Sequence, residues 1–158
     1  MLLRIGTSKN TEYQFWLTRR FIRVLWKAIT EALKNNPEIK TEMMPKVQDA
    51  LVAMKHQHAV QASDFSTQHS DSNKNLNSDT GPLLVTGGAI NQINANMTKL
   101  MFSTSNGGAF NISINQKLLH ALCHLILTTT ESADWKLDLN IGESDANVIQ
   151  PESNSLIH

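Results

Sequence analysis

The segment EYQFWLTRRFIRVLWKAITEAL, from Glu12 to Leu33, constrains the fold most, because it gathers Tyr13, Phe15, Trp16, Phe21 and Trp26 around Arg19, Arg20, Arg23 and Lys27. A run of this kind supplies a core, touches a lipid surface, or presents charge to a polyanion. Thr11 suits an N-cap and Asn35-Asn36-Pro37 is a stop signal, so the pattern predicts a helix from about Glu12 to about Lys34. At about 100° per residue, Leu17, Phe21, Val24, Leu25, Ala28, Ile29 and Ala32 fall on one side, with Ile22, Trp26 and Leu33 on its flank. Arg19, Arg20, Arg23, Lys27, Thr30 and Lys34 share the remainder with Trp16. The apolar arc is wider than one sheet face covers, which predicts packing against a second helix or a second copy of the chain. The basic strip has three readings: a solvated face whose cations pair with acids from the second half, a contact for a polyanion or an anionic protein, or a contact for lipid headgroups. In the second reading, Trp16 stacks on a base or covers a neighbouring side-chain stem.

Beyond this segment the pattern continues as α and then β. Pro45 suits a first helical turn, and Val47, Ala50, Leu51, Met54 and His58 recur at helical spacing as far as about Ala62, which predicts an N-terminal helical hairpin. SDFSTQHSDSNKNLNSDTGP (63–82) is polar and turn-forming and reads as a mobile linker pinned by Phe65. LLVTGGAI (83–90), MTKLMFSTS (97–105) and AFNISI (109–114) read as strands, the last two joined by a tight Asn-Gly hairpin. Leu100 and Phe102 share an apolar face with Phe110, Ile112 and Ile114, while Lys99, Ser103, Asn111 and Ser113 lie on a wetter one. Asn115 caps a third helix through about Thr130, with Leu118, Leu119, Leu122, Leu125 and Ile126 as its stripe, and WKLDL (135–139) reads as a last strand. That order predicts an α+β domain over residues 1–140, in which the helical hairpin and the third helix pack on a mainly antiparallel sheet of about four strands. Residues 141–158 lack periodicity and read as a disordered tail.

The chain has 158 residues and a formal net charge of zero, which hides an asymmetry. Residues 1–62 carry ten bases against five acids, giving +5, and residues 63–158 carry four against nine, giving −5. A bipolar chain satisfies itself internally or associates with a copy, so bulk charge does not argue for nucleic acid. A single cysteine, Cys123, excludes an internal disulfide framework and multi-cysteine zinc sites, and a reducing, cytoplasmic setting is the expectation. MLLRIGTSKN holds no apolar run of signal-peptide length, and the cations that follow interrupt any candidate membrane span.

Candidate chemistry is sparse. His120 and His124 stand one helical turn apart in HALCH and could share a metal, but Ala121 occupies the place where HExxH sites carry a general base. Further ligands would have to come from His56, His58 or His69, so the better reading is a pair of rim histidines beside a buried stripe. Cys123 points toward that stripe as a small core residue. Gly87-Gly88 and Gly107-Gly108 lack the endings of phosphate loops and read as turns or bulges. Asp138 alternates with apolar residues and marks the outer side of its strand. No convergent catalytic set and no cofactor motif emerges. The expectation is therefore a non-enzymatic binding or adaptor domain using the basic, tryptophan-containing face, Trp16, Arg19, Arg20, Arg23 and Lys27, with self-association or a protein or polyanion partner. The competing expectation is a small-molecule-binding domain or enzyme with a pocket near His120 and His124.

Overall fold

The chain opens with strands where a helix was expected. In the computed structural model, which describes residues 1–66, 75–76 and 81–142, β1 (Leu2–Gly6) pairs antiparallel with β2 (Thr11–Trp16). The reason lies in composition: Tyr13, Phe15 and Trp16 favour extended backbone, and alternation turns Tyr13 and Phe15 to the same side. Leu3 stands opposite Phe15, and Ile5 opposite Tyr13, so the hairpin contributes a row of apolar side chains to the core. Only then does α1 (Arg19–Lys34) begin, capped by Thr18, whose hydroxyl accepts from the Phe21 N–H at 3.1 Å.

The buried side of the helix is also not the one expected. Ile22, Leu25, Trp26, Ile29 and Leu33 are buried, whereas Val24, expected in the core, is 60% exposed among the cations. Trp16 is not on the helix at all, and Leu17 is buried in the link before the cap. A single turn, α2 (Pro37–Lys40), follows and leads to α3 (Pro45–Gln61), which buries only Val52 completely. Val47 and Met54, expected on its inner face, are exposed.

Asn75–Leu76 forms the two-residue β3, which pairs parallel with Thr11 and Glu12 of β2. The rest of the expected linker falls on residues 67–74 and 77–80, outside the described part, apart from its ends, where Phe65 packs on His124 with ring centroids 4.7 Å apart. β4 (Leu83–Gln92), β5 (Met97–Thr104) and β6 (Ala109–Asn115) form an antiparallel meander close to the expected strands. Gly107 takes φ +79° in the β5–β6 turn, where a side chain would be strained. The register shifts between Val85 and Gly87, so the Gly87-Gly88 pair marks a bulge rather than a phosphate loop.

The sheet runs β1-β2-β4-β5-β6, with β3 on β2; β2 meets β4 in parallel at Phe15↔Leu83 and Trp16↔Leu84. The fold is therefore α+β with a mixed sheet of more strands than expected, and its parallel step is reached through α1, α2 and α3. Phe15 lies edge-on to Phe102 at 5.8 Å and tilted against Phe110 at 4.9 Å, and Phe21 brings α1 edge-on to Phe102 at 5.9 Å. α4 (Gln116–Ser132), capped by Asn115 as expected, buries Leu119, His120, Cys123, Ile126 and Thr130. Leu118 and Leu125, expected in its stripe, are exposed.

WKLDL forms no strand. Asp134 and Lys136 take φ of +49° and +48°, which breaks an extended course, yet Trp135, Leu137 and Leu139 still dip against the core. The segment is tied down where the Trp26 indole N–H donates to the Asn140 carbonyl at 3.2 Å. The expected tail lies outside the described residues beyond Gly142. Among the described residues no helix is long and apolar enough to cross a membrane.

Candidate functional site

Two places gather the residues singled out by the sequence. The first is the outer side of α1. Arg19, Arg20, Arg23 and Lys27 are all exposed, and none makes an ion pair among the described residues. Other cations of the N-terminal half do find acids: Arg4 pairs with Glu12 at 2.8 Å, Lys34 with Asp49 at 2.5 Å, and Lys55 with Glu38. Glu31, the acid one turn beyond Lys27, pairs with neither it nor the arginines. Arg19 and Arg20 occupy the first turn of α1, which holds no acid, at the end where unpaired N–H groups already make the backbone electropositive. Like charges are thus stacked where helix stability alone would favour Asp or Glu.

Trp16 reaches this region from β2. Leu2, Trp16 and Leu84 stand directly opposite one another across β1, β2 and β4. All three are exposed, Trp16 by 47%, so they form an apolar row on the sheet beside the entry to α1. Leu84 also borders a groove of about 530 Å³ between α1 and the first half of β4, whose other walls include Arg20, Phe21 and Val24 and whose lining includes Gly87 and Gly88. The structure thus keeps Trp16 near the cations but joins them through Leu84 and Val24, two residues the sequence reading placed elsewhere. A signal for Val24 was present: at about 100° per residue it lies about 40° from Arg20 and about 60° from Lys27, but about 160° from Ile22.

The second place lies between α3 and α4. His120 does not meet His124; it meets His56, with Nδ1 atoms 3.3 Å apart and rings tilted by 52°. His124 turns to Phe65 instead. Neutral imidazoles suit this contact, one donating Nδ1–H to the lone pair of the other. Burial, then the neighbouring His56 and Lys55, hold His120 down to about 4, and burial followed by His124 lowers His56 as well. His120 and His58 also border a cleft of about 310 Å³ with Asn36, Glu38, Lys55 and Gln116. Among the described residues no three His, Cys, Asp or Glu side chains converge as metal ligands, so His56 and His58 do not supplement the His120–His124 pair, and His69 lies outside the described residues. Cys123 is fully buried and its thiol is pushed up to about 12, which leaves it inert as a nucleophile.

No protein-family model, no curated protein and no solved structure matches this chain.

Proposed function

We propose that this chain is a non-enzymatic binding domain for an anionic partner, held by Arg19, Arg20, Arg23 and Lys27 with Trp16 beside them. The observation that supports it is the set of four exposed cations without acid partners among the described residues, two of them in the first turn of α1. Solvated surface charge usually disperses or pairs, and cations at a helix N-terminus oppose the backbone dipole, so this arrangement costs stability. An anion docked there would relieve that repulsion and also meet the unpaired N–H groups of the helix end. Because the net charge is zero, attraction depends on this face and not on the chain as a whole.

The test is a titration of wild type and of the Arg19→Gln, Arg23→Gln, Lys27→Gln variant with labelled duplex, single strand, an acidic peptide and anionic vesicles over a range of salt. Loss of three phosphate contacts lowers the salt slope by nearly three units on duplex, at roughly 0.9 per contact. A wild type that binds none of these probes at low salt ends the proposal.

A second reading, a small-molecule site, draws on the cleft beside His120, where Asn36, Lys55, His58 and Gln116 offer polar groups around about 310 Å³. A reproducible rise in melting temperature with one metabolite class, abolished by His58→Ala but not by the α1 variant, would support it.

A further inference from the structure

We infer that the groove between α1 and β4 takes a large apolar side chain of an acidic protein segment, a reading that rests on the proposed anionic contact and names its partner. Three features converge on this occupant. The groove is walled by Phe21, Val24 and Leu84, and on its sheet side Gly88, paired with the buried Phe102, turns no side chain toward Phe21, so a recess of about 530 Å³ stays open there. Gly88 is fixed by the fold, because a Cβ there would come within 2.6 Å of the Met101 carbonyl oxygen. Gly87 has no such reason: a Cβ on it would meet only the Ser103 Cβ, at 4.0 Å. It pairs with Ser103, so a side chain there would stand on the face of the sheet away from Phe102 and Phe21.

Arg20 lines this recess, and Arg19, Arg23 and Lys27 flank it on the same helix, all four without acid partners among the described residues. The complement of such a surface is a segment in which Asp and Glu surround one large apolar residue, the anchor filling the groove while the carboxylates meet the guanidinium groups. Nucleic acid fits less well. One indole, Trp16, offers a single stacking platform where strand binding uses several in succession, and the recess walls are mainly apolar. Lipid insertion uses apolar groups that project, whereas Val24 and Leu84 flank a recess.

Fluorescence polarisation with the full chain tests this, using two labelled synthetic peptides of equal length and charge, one with a leucine amid Asp and Glu and the other with glycine in its place. Labelled oligothymidine and phosphatidylserine vesicles run beside them. The leucine peptide is expected to bind wild type roughly tenfold more tightly or better, as burial of one such side chain implies. Val24→Ser, which removes an exposed apolar wall, should shrink that preference and leave the glycine peptide's affinity unchanged. Leu84→Ser, on the sheet-side wall, serves the same purpose should Val24→Ser not fold. Arg20→Gln with Arg23→Gln should weaken both peptides alike.

Equal affinity of the two peptides for wild type overturns the groove assignment and leaves the electrostatic reading standing. Failure of both peptides, of oligothymidine and of vesicles at low salt overturns both. Oligothymidine or vesicles bound in preference to either peptide overturns the protein partner.

Discussion

The His56–His120 contact predicts how stability should respond to acid. His120 is only 5% exposed and faces a second imidazole, with Lys55 adding positive charge, so its proton affinity in the fold sits near 4 against an ordinary 6.5. The unfolded chain therefore binds a proton at this residue that the folded chain refuses over that interval. Stability from the neutral ring is fully present above pH 6.5 and is lost as pH falls from 6.5 to 4. Converted at about 1.4 kcal/mol per unit, the loss approaches 3 kcal/mol for this residue alone. Urea unfolding of wild type and of His120→Leu at several values between pH 4 and 7.5 isolates it, because carboxylates and other histidines titrate in both proteins. The wild-type advantage over the variant should shrink by about 3 kcal/mol across the interval. Parallel curves would refute the reasoning, since they would mean that the His120 ring takes up a proton in place, with solvent reaching the α3–α4 contact.

Three further perturbations probe the assignments of faces. Ile29→Ala, at a fully buried position of α1, should cost about 2–5 kcal/mol in urea melts, and Arg23→Ala on the opposite side should stay within about 0.5 kcal/mol. Gly88→Ala should destabilise by about 1–3 kcal/mol, since its Cβ meets the Met101 carbonyl, while Gly87→Ala should be neutral or gain up to about 1 kcal/mol. Arg19→Glu and Arg20→Glu should each raise stability by about 0.3–1 kcal/mol at low salt while abolishing binding of the acidic peptide; a loss of stability would show that the fold itself uses these cations.

Much of the β4–β5–β6–α4 half was legible, because alternation, an Asn-Gly turn and an Asn cap are local signals, and Asn115 does accept from the Leu118 N–H as its position suggests. The N-terminal half misled because Thr11 and Thr18 both suit a helix start. A start at Thr11 takes Tyr13, Phe15 and Trp16 into a helix, although their alternation, with Tyr13 and Phe15 on one side, already describes a strand. That choice also put Trp16 on the helix and Leu17 in its apolar arc, and Val24, two turns after Leu17 on the same side, went to the core with it. WKLDL shows the opposite error: its alternation is real and Trp135, Leu137 and Leu139 do turn inward, but it pairs with no strand among the described residues. The encounter of His120 with His56 was beyond reach, because it depends on how α3 crosses α4. Helical spacing reports only neighbours on one element, and so offered His124 instead.

The two-residue parallel junction between β2 and β4 has a consequence for how the chain assembles. Phe15 and Trp16 must find Leu83 and Leu84 across three intervening helices, while β4, β5, β6 and α4 close on one another through short turns. Chain entropy makes the first search slow and the second fast. The meander with α4 should therefore form as a platform on which the N-terminal hairpin and α1 dock last, leaving a seam along which the sheet opens first. Amide exchange in the native state should show it as weaker protection for β1 and β2 than for β5. The cationic end of α1 joins that seam through Leu17 and Thr18 and packs through Phe21 on Phe102, so a partner gripping the helix would also be fastening the two halves of the sheet.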